Sequence, residues 1–166
     1  MRKSVFHCDC MNPDGFMVTV DRSRSRDEMI AAGDYRNRPQ GLRFAGRFTI
    51  EGSNSGQIRL GLIHLYTFAR LSRVLLELNK ECDRRDVTLA DAADLLALGE
   101  QHRGLQLRSK IVELGTIHPG FENRDFPSAL ALTGYDDGEK FVYRDLEETY
   151  LENGLKAGTH IAIVLR

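Results

Sequence analysis

The ten residues Gln57–Tyr66 read QIRLGLIHLY, and their alternation decides what the rest of the chain is built around. In an extended chain Ile58, Leu60, Leu62 and His64 fall on one side, and Arg59, Gly61, Ile63 and Leu65 on the other. The first half alternates apolar with polar, as a half-covered strand does. The second half is apolar on both sides, the pattern of a strand buried within a sheet. The expected architecture is therefore a sheet with this segment near its centre.

Upstream, residues 1–14 show no periodicity and contain Asn12, Pro13 and Asp14, so they read as a loose N-terminal arm. GFMVTVD follows, with Phe16, Val18 and Val20 on one face of a first strand. Ser25 and Glu28 then have the spacing of a capping box. They predict a helix of about two turns, with Gly33 placed for a left-handed end. RFAGRFTIEG reads as a strand, and Gly52–Gly56 (GSNSG) as a polar turn into the central strand.

Downstream, Val74, Leu75, Leu78 and Cys82 mark the apolar stripe of an amphipathic helix. TLADAADLLALG predicts another, with Thr88 and Asp91 as a capping pair and Gly99 as its stop. KIVELGTI, SALALTG and KFVYRDL read as strands, the last two joined through Asp137-Gly138, a hairpin dipeptide. EETYLENG suggests a helical turn, and GTHIAIVLR a closing strand with Ile161, Ile163 and Leu165 on one face. Strands that follow one another in sequence tend to pair. The fold class is thus α+β: a mostly antiparallel sheet with about three helices packed on one side. It forms a single domain over residues 15–166.

Composition fits that reading and limits function. The chain has 166 residues, 42% hydrophobic and 28% charged, with a net charge of −1. This excludes a strongly basic nucleic-acid binder as a description of the whole chain. No apolar run is long enough to span a bilayer, and the opening MRKSVFHCDC has no apolar signal core. Three cysteines leave an odd thiol. The expected location is cytoplasmic and reducing. Charge is unevenly spread: Arg22–Arg47 holds seven arginines against three acids, and Glu122–Glu152 nine acids against three bases. Either the two regions pair with each other, or the first offers a basic surface to an anionic partner.

Several places can carry chemistry. His7, Cys8 and Cys10 supply three zinc-type ligands, one short of a structural site. Any of the other histidines can complete the set, and the sequence selects none. His64 sits on an apolar strand face. His118 and Glu122 lie in the polar loop HPGFENRD and can perform acid–base work if they converge. Arg36, Arg38, Arg43 and Arg47, interleaved with Tyr35, Phe44 and Phe48, can contact phosphates and stack bases. No G-x-S-x-G, phosphate-binding loop or G-x-G-x-x-G is present.

Two stretches, VDRSRSRDEMIAAGDY (residues 20–35) and the run from LIHLY to ELGTI (residues 62–117), resemble a group of uncharacterised bacterial proteins. That group shows V-D-x-S…M-I-x-A-G-x-Y and T-L-x-E-L-L-x-L-G…L-Q motifs. This chain departs from it at Asp91 and in lacking tryptophan. The resemblance implies a bacterial, cytosolic accessory domain and transfers no catalytic role. The leading functional expectation is a non-catalytic interaction domain that needs no cofactor and binds a protein partner or itself. The alternatives are a nucleic-acid-associated module using the arginines of Arg22–Arg47, and a small metal protein or enzyme using histidines, with zinc as its metal.

Overall fold

A computed structural model describes residues 6–7, 14–38, 55–116 and 127–165. Among these residues eight strands form one sheet: β1 (Phe6–His7), β2 (Phe16–Val20), β3 (Gly56–Leu65), β4 (Val87–Leu89), β5 (Ile111–Val112), β6 (Ser128–Asp136), β7 (Val142–Tyr150) and β8 (His160–Leu165). The helices among the described residues are α1 (Arg26–Ala32), α2 (Leu71–Arg85) and α3 (Ala92–Gln101), followed by a short 3-10 turn at Leu105–Leu107. The α+β class is as the sequence indicates. Every described strand pair is antiparallel except β5 with β8.

The strand order is β1-β3-β8-β5-β6-β7, with β2 also on β3 and β4 also on β8. QIRLGLIHLY is central, as its two apolar faces demand. One side of β3 holds β1 at its end and β2 at its start; the other side holds β8. The free side of β8 is shared in turn by β5, at His160–Ile161, and β4, at Ile163–Leu165. This sharing limits β5 to two residues, where KIVELGTI suggested a longer strand.

The sheet has two covered faces. On one, Leu60, Leu62, Leu130, Leu132 and Ala162 meet α1 through Met29 and Ile30, and α3 through its buried leucines and alanines. On the other, Ile63, Leu65, Ala131, Ile161 and Ile163 meet Val74 and Leu78 of α2. The expectation of helices on one side holds for α1 and α3, while α2 lies across the sheet from them. α3 is buried from Ala92 to Gly99 because it lies between the sheet and α1. Each fully buried leucine there contributes about 2 kcal/mol.

Local chemistry explains the boundaries. In α1, Glu28 N–H donates to Ser25 Oγ, and Ser25 N–H donates back to the Glu28 carboxylate. Gly33 ends the helix in ordinary right-handed backbone, and the left-handed residue is Asp34, at φ 54°. Gly33 is required for another reason: a Cβ there would collide with the Tyr35 ring. The capping box of α3 is Asp91 with Asp94, three residues later than the Thr88–Asp91 pair, because Thr88 is taken into β4. Gly99 does not stop α3, which runs on to Gln101. Glu147–Tyr150 continue β7 rather than turning helical, held by their register with β6. Among the described residues no helix is long and apolar enough to cross a membrane.

Candidate functional site

The histidines come together through strand register. His64 of β3 stands opposite His160 of β8, and His7 of β1 stands opposite His64 on its other side. His64 Nδ1 and His160 Nε2 are 3.2 Å apart, with ring centroids 4.7 Å apart. Tyr66 meets the His64 ring edge-on at 5.5 Å. His64 is half-buried, whereas His160 is only 6% exposed. Burial and the neighbouring His64 hold His160 below the ordinary histidine range, opposed by the backbone of Gly158. Its ring is therefore neutral at pH 7. Its Nδ1 is buried without a hydrogen-bond partner.

A second cluster was not singled out by the sequence. Arg22 forks onto Asp91 at 2.7 Å and Asp94 at 2.8 Å. Close by, Glu113 is fully buried and accepts from Thr116 N–H at 2.8 Å and Leu130 N–H at 3.2 Å. Burial pushes Glu113 up to about 8, against those two donors, with Asp91 and Asp94 adding to the rise. Burial and Asp91 raise Asp94 to about 6, against Arg22. Thr116 Oγ1 also accepts from Ala92 N–H at 3.1 Å, so the cluster ties the start of α3 to the end of β5. Every described carboxylate here has an internal partner, which is how a structural clamp is made. The one sequence signal was an isolated acid inside an apolar run, as in KIVEL and ADLLAL.

The arginine region divides. Arg22 and Arg24 bind acids of α3, its N-cap included, and Arg36 reaches Asp145 at 3.5 Å. The basic and acidic regions thus meet within the fold at Arg36–Asp145. Arg36 also lies over the Tyr143 ring at 3.5 Å, and Tyr143 stacks on Tyr135 at 5.6 Å. Arg38 is exposed. Beside this stack Phe141 and Val142 stand 67% and 60% exposed. Asp137 fixes the turn between β6 and β7 by accepting from the N–H groups of Glu139, Lys140 and Phe141.

Of the residues expected to act, the structure joins His64 with His7 by register and Arg36 with two tyrosines. Cys8, Cys10, Arg43, Arg47, His118 and Glu122 lie outside the described residues. Compared with protein-family models, with curated proteins and with solved structures, the chain matches none.

Proposed function

We propose that the chain is a non-catalytic interaction domain that self-associates through the outer end of the β6–β7 ribbon. The observation that carries this reading is the exposure of Tyr135 and Phe141 beside Tyr143, on one face of backbone fixed by pairing and by the Asp137 turn. Aromatic side chains held rigidly at a surface lose little entropy on contact, and with arginine they dominate interface hot spots. A net charge of −1 sets up no long-range repulsion between copies. Asp136, Asp137 and Glu139 on the same tip disfavour a polyanion as the occupant.

The test is sedimentation equilibrium with chelator present, over a wide concentration range. The native chain is expected to show reversible dimerisation. The double variant Tyr135→Ser/Phe141→Ser, at exposed positions, is expected to weaken it at least about tenfold, or 1.4 kcal/mol. A chain that stays monomeric throughout, or a dimer unaffected by the double variant, refutes the reading.

A second reading rests on the Arg36–Tyr143–Tyr135 stack, a geometry on which an unpaired base can lie. Salt-sensitive binding of single-stranded RNA, lost in Arg36→Ala, would favour it. Binding indifferent to that change would remove it.

A further inference from the structure

We infer that Gln101 and His102 close the outer edge of β2 against a second copy of that strand, which fits the edge by two-fold antiparallel pairing. The inference is independent of the aromatic surface and rests on hydrogen bonds and register.

An edge strand offers backbone N–H and C=O groups to any extended segment that reaches it. β2 has β3 on one side and, among the described residues, no strand on the other. Its outward backbone groups are nevertheless taken. Thr19 N–H donates to Gln101 Oε1 at 2.9 Å, and Gln101 Nε2 donates to Thr19 O at 2.8 Å. His102 Nε2 donates to Met17 O at 2.9 Å. The Gln101 amide thus gives Thr19 one acceptor and one donor, as a residue of a neighbouring strand would.

Both side chains are held where they are by the seating of α3. Gln101 is the last residue of α3, and His102 caps it, donating its backbone N–H to Leu98 O at 2.8 Å. The helix is buried from Ala92 to Gly99, which fixes its end beside the sheet. The His102 ring also meets Phe16 edge-on at 5.3 Å.

Register decides what fits the edge. Met17 and Thr19 are the residues whose backbone groups point away from β3. A second β2, laid antiparallel with Val18 on the two-fold axis, sets Met17 of each copy opposite Thr19 of the other. Each then meets a residue whose groups also point outward, the condition for a hydrogen-bonded pair. The faces agree as well, since opposed residues share one side of a sheet. Val18 would meet Val18 on the covered side, and Met17 would meet Thr19 on the exposed side. The strand FMVTV is rich in residues that favour extended pairing. What stands in the place of that second strand is the Gln101 amide and the His102 ring.

The experiment is sedimentation equilibrium of the full-length chain carrying Tyr135→Ser/Phe141→Ser, which removes the aromatic contact. Adding Gln101→Ala/His102→Ala is expected to tighten self-association at least about tenfold. Thr19→Pro, added last, is expected to cancel that gain. Proline brings no N–H, and an edge strand tolerates it where that N–H faces outward. Far-ultraviolet dichroism checks that each chain is native. If Gln101→Ala/His102→Ala loses native dichroism, Gln101→Met carries the test, since it keeps the side-chain length and the His102 contact while removing both bonds to Thr19. Unchanged association in the natively folded variant, or a gain that survives Thr19→Pro, overturns the assignment.

Discussion

Raising the pH should weaken this fold, and Glu113 should be the main cause. Its carboxyl is fully buried, with a folded value of about 8 against an ordinary value of 4.5. A carboxyl whose value is raised on folding binds more protons in the folded than in the unfolded chain. Stability is then fully present below about pH 4.5 and is lost as pH climbs towards 8. Between those limits each pH unit removes about 1.4 kcal/mol. Asp94, raised to about 6, acts in the same direction, but its contribution is nearly complete by pH 6.5. His160, held below its ordinary 6.5, acts oppositely and only in more acid solution. The window from pH 6.5 to 8.5 therefore isolates Glu113, and its loss there comes to roughly 2 kcal/mol, a large share of a stability of about 5–15 kcal/mol. The assay is urea unfolding followed by far-ultraviolet dichroism at several pH values, since the chain has no tryptophan. Glu113→Gln should flatten the slope. Its absolute stability at pH 6.5 should fall, because the new amide has one acceptor oxygen for two N–H donors, Thr116 and Leu130. A native chain whose stability is flat or rising across the window refutes the reasoning, as does a slope unchanged in E113Q.

Two further outcomes are expected from packing and charge. Gly99→Ala should destabilise by about 2 kcal/mol despite alanine's better helix propensity, because its Cβ would strike Tyr35 Oη and lie 2.9 Å from Leu132 Cδ2. In a Tyr35→Phe background the same change should cost about 1 kcal/mol less by thermal unfolding, and equal costs would show that the hydroxyl is not the obstacle. Arg22→Gln should cost roughly 3 kcal/mol at pH 7.5, since it leaves Asp94 and Asp91 facing each other without a cation. The cost should shrink at pH 5, where Asp94 takes up a proton; an equal cost at both pH values would argue against burial of the charge.

Local pattern carried most of the fold. Alternation in Gln57–Tyr66 and the apolar stripe Val74–Cys82 needed only neighbours in sequence to be read, and both elements stand as expected. Capping chemistry was legible at Ser25–Glu28 but ambiguous at Thr88–Asp91–Asp94, where two pairs share one spacing. Pairing of Thr88 with Val164 on a distant strand settles that ambiguity. The candidate sites were less legible for the same reason. His64 and His160 are 96 residues apart, and Arg22 and Asp94 are 72. Nothing in either local stretch specifies its partner. Register does so for the histidines, and the seating of α3 does so for the carboxylates.

The position of β8 has a consequence for assembly. Along the path of hydrogen-bonded strands, β1 and β3 reach β5, β6 and β7 only through it. It is also the last of the eight strands met along the chain. Until it inserts, the described strands are two separate ribbons and an unpaired β4, with bare edges on β3 and on β5. Contacts that span such long stretches of chain form slowly. In that interval another molecule's final strand can occupy the vacant slot as well as its own. Domain-swapped dimers should therefore accumulate when the chain refolds at high concentration, and dilution before refolding should suppress them.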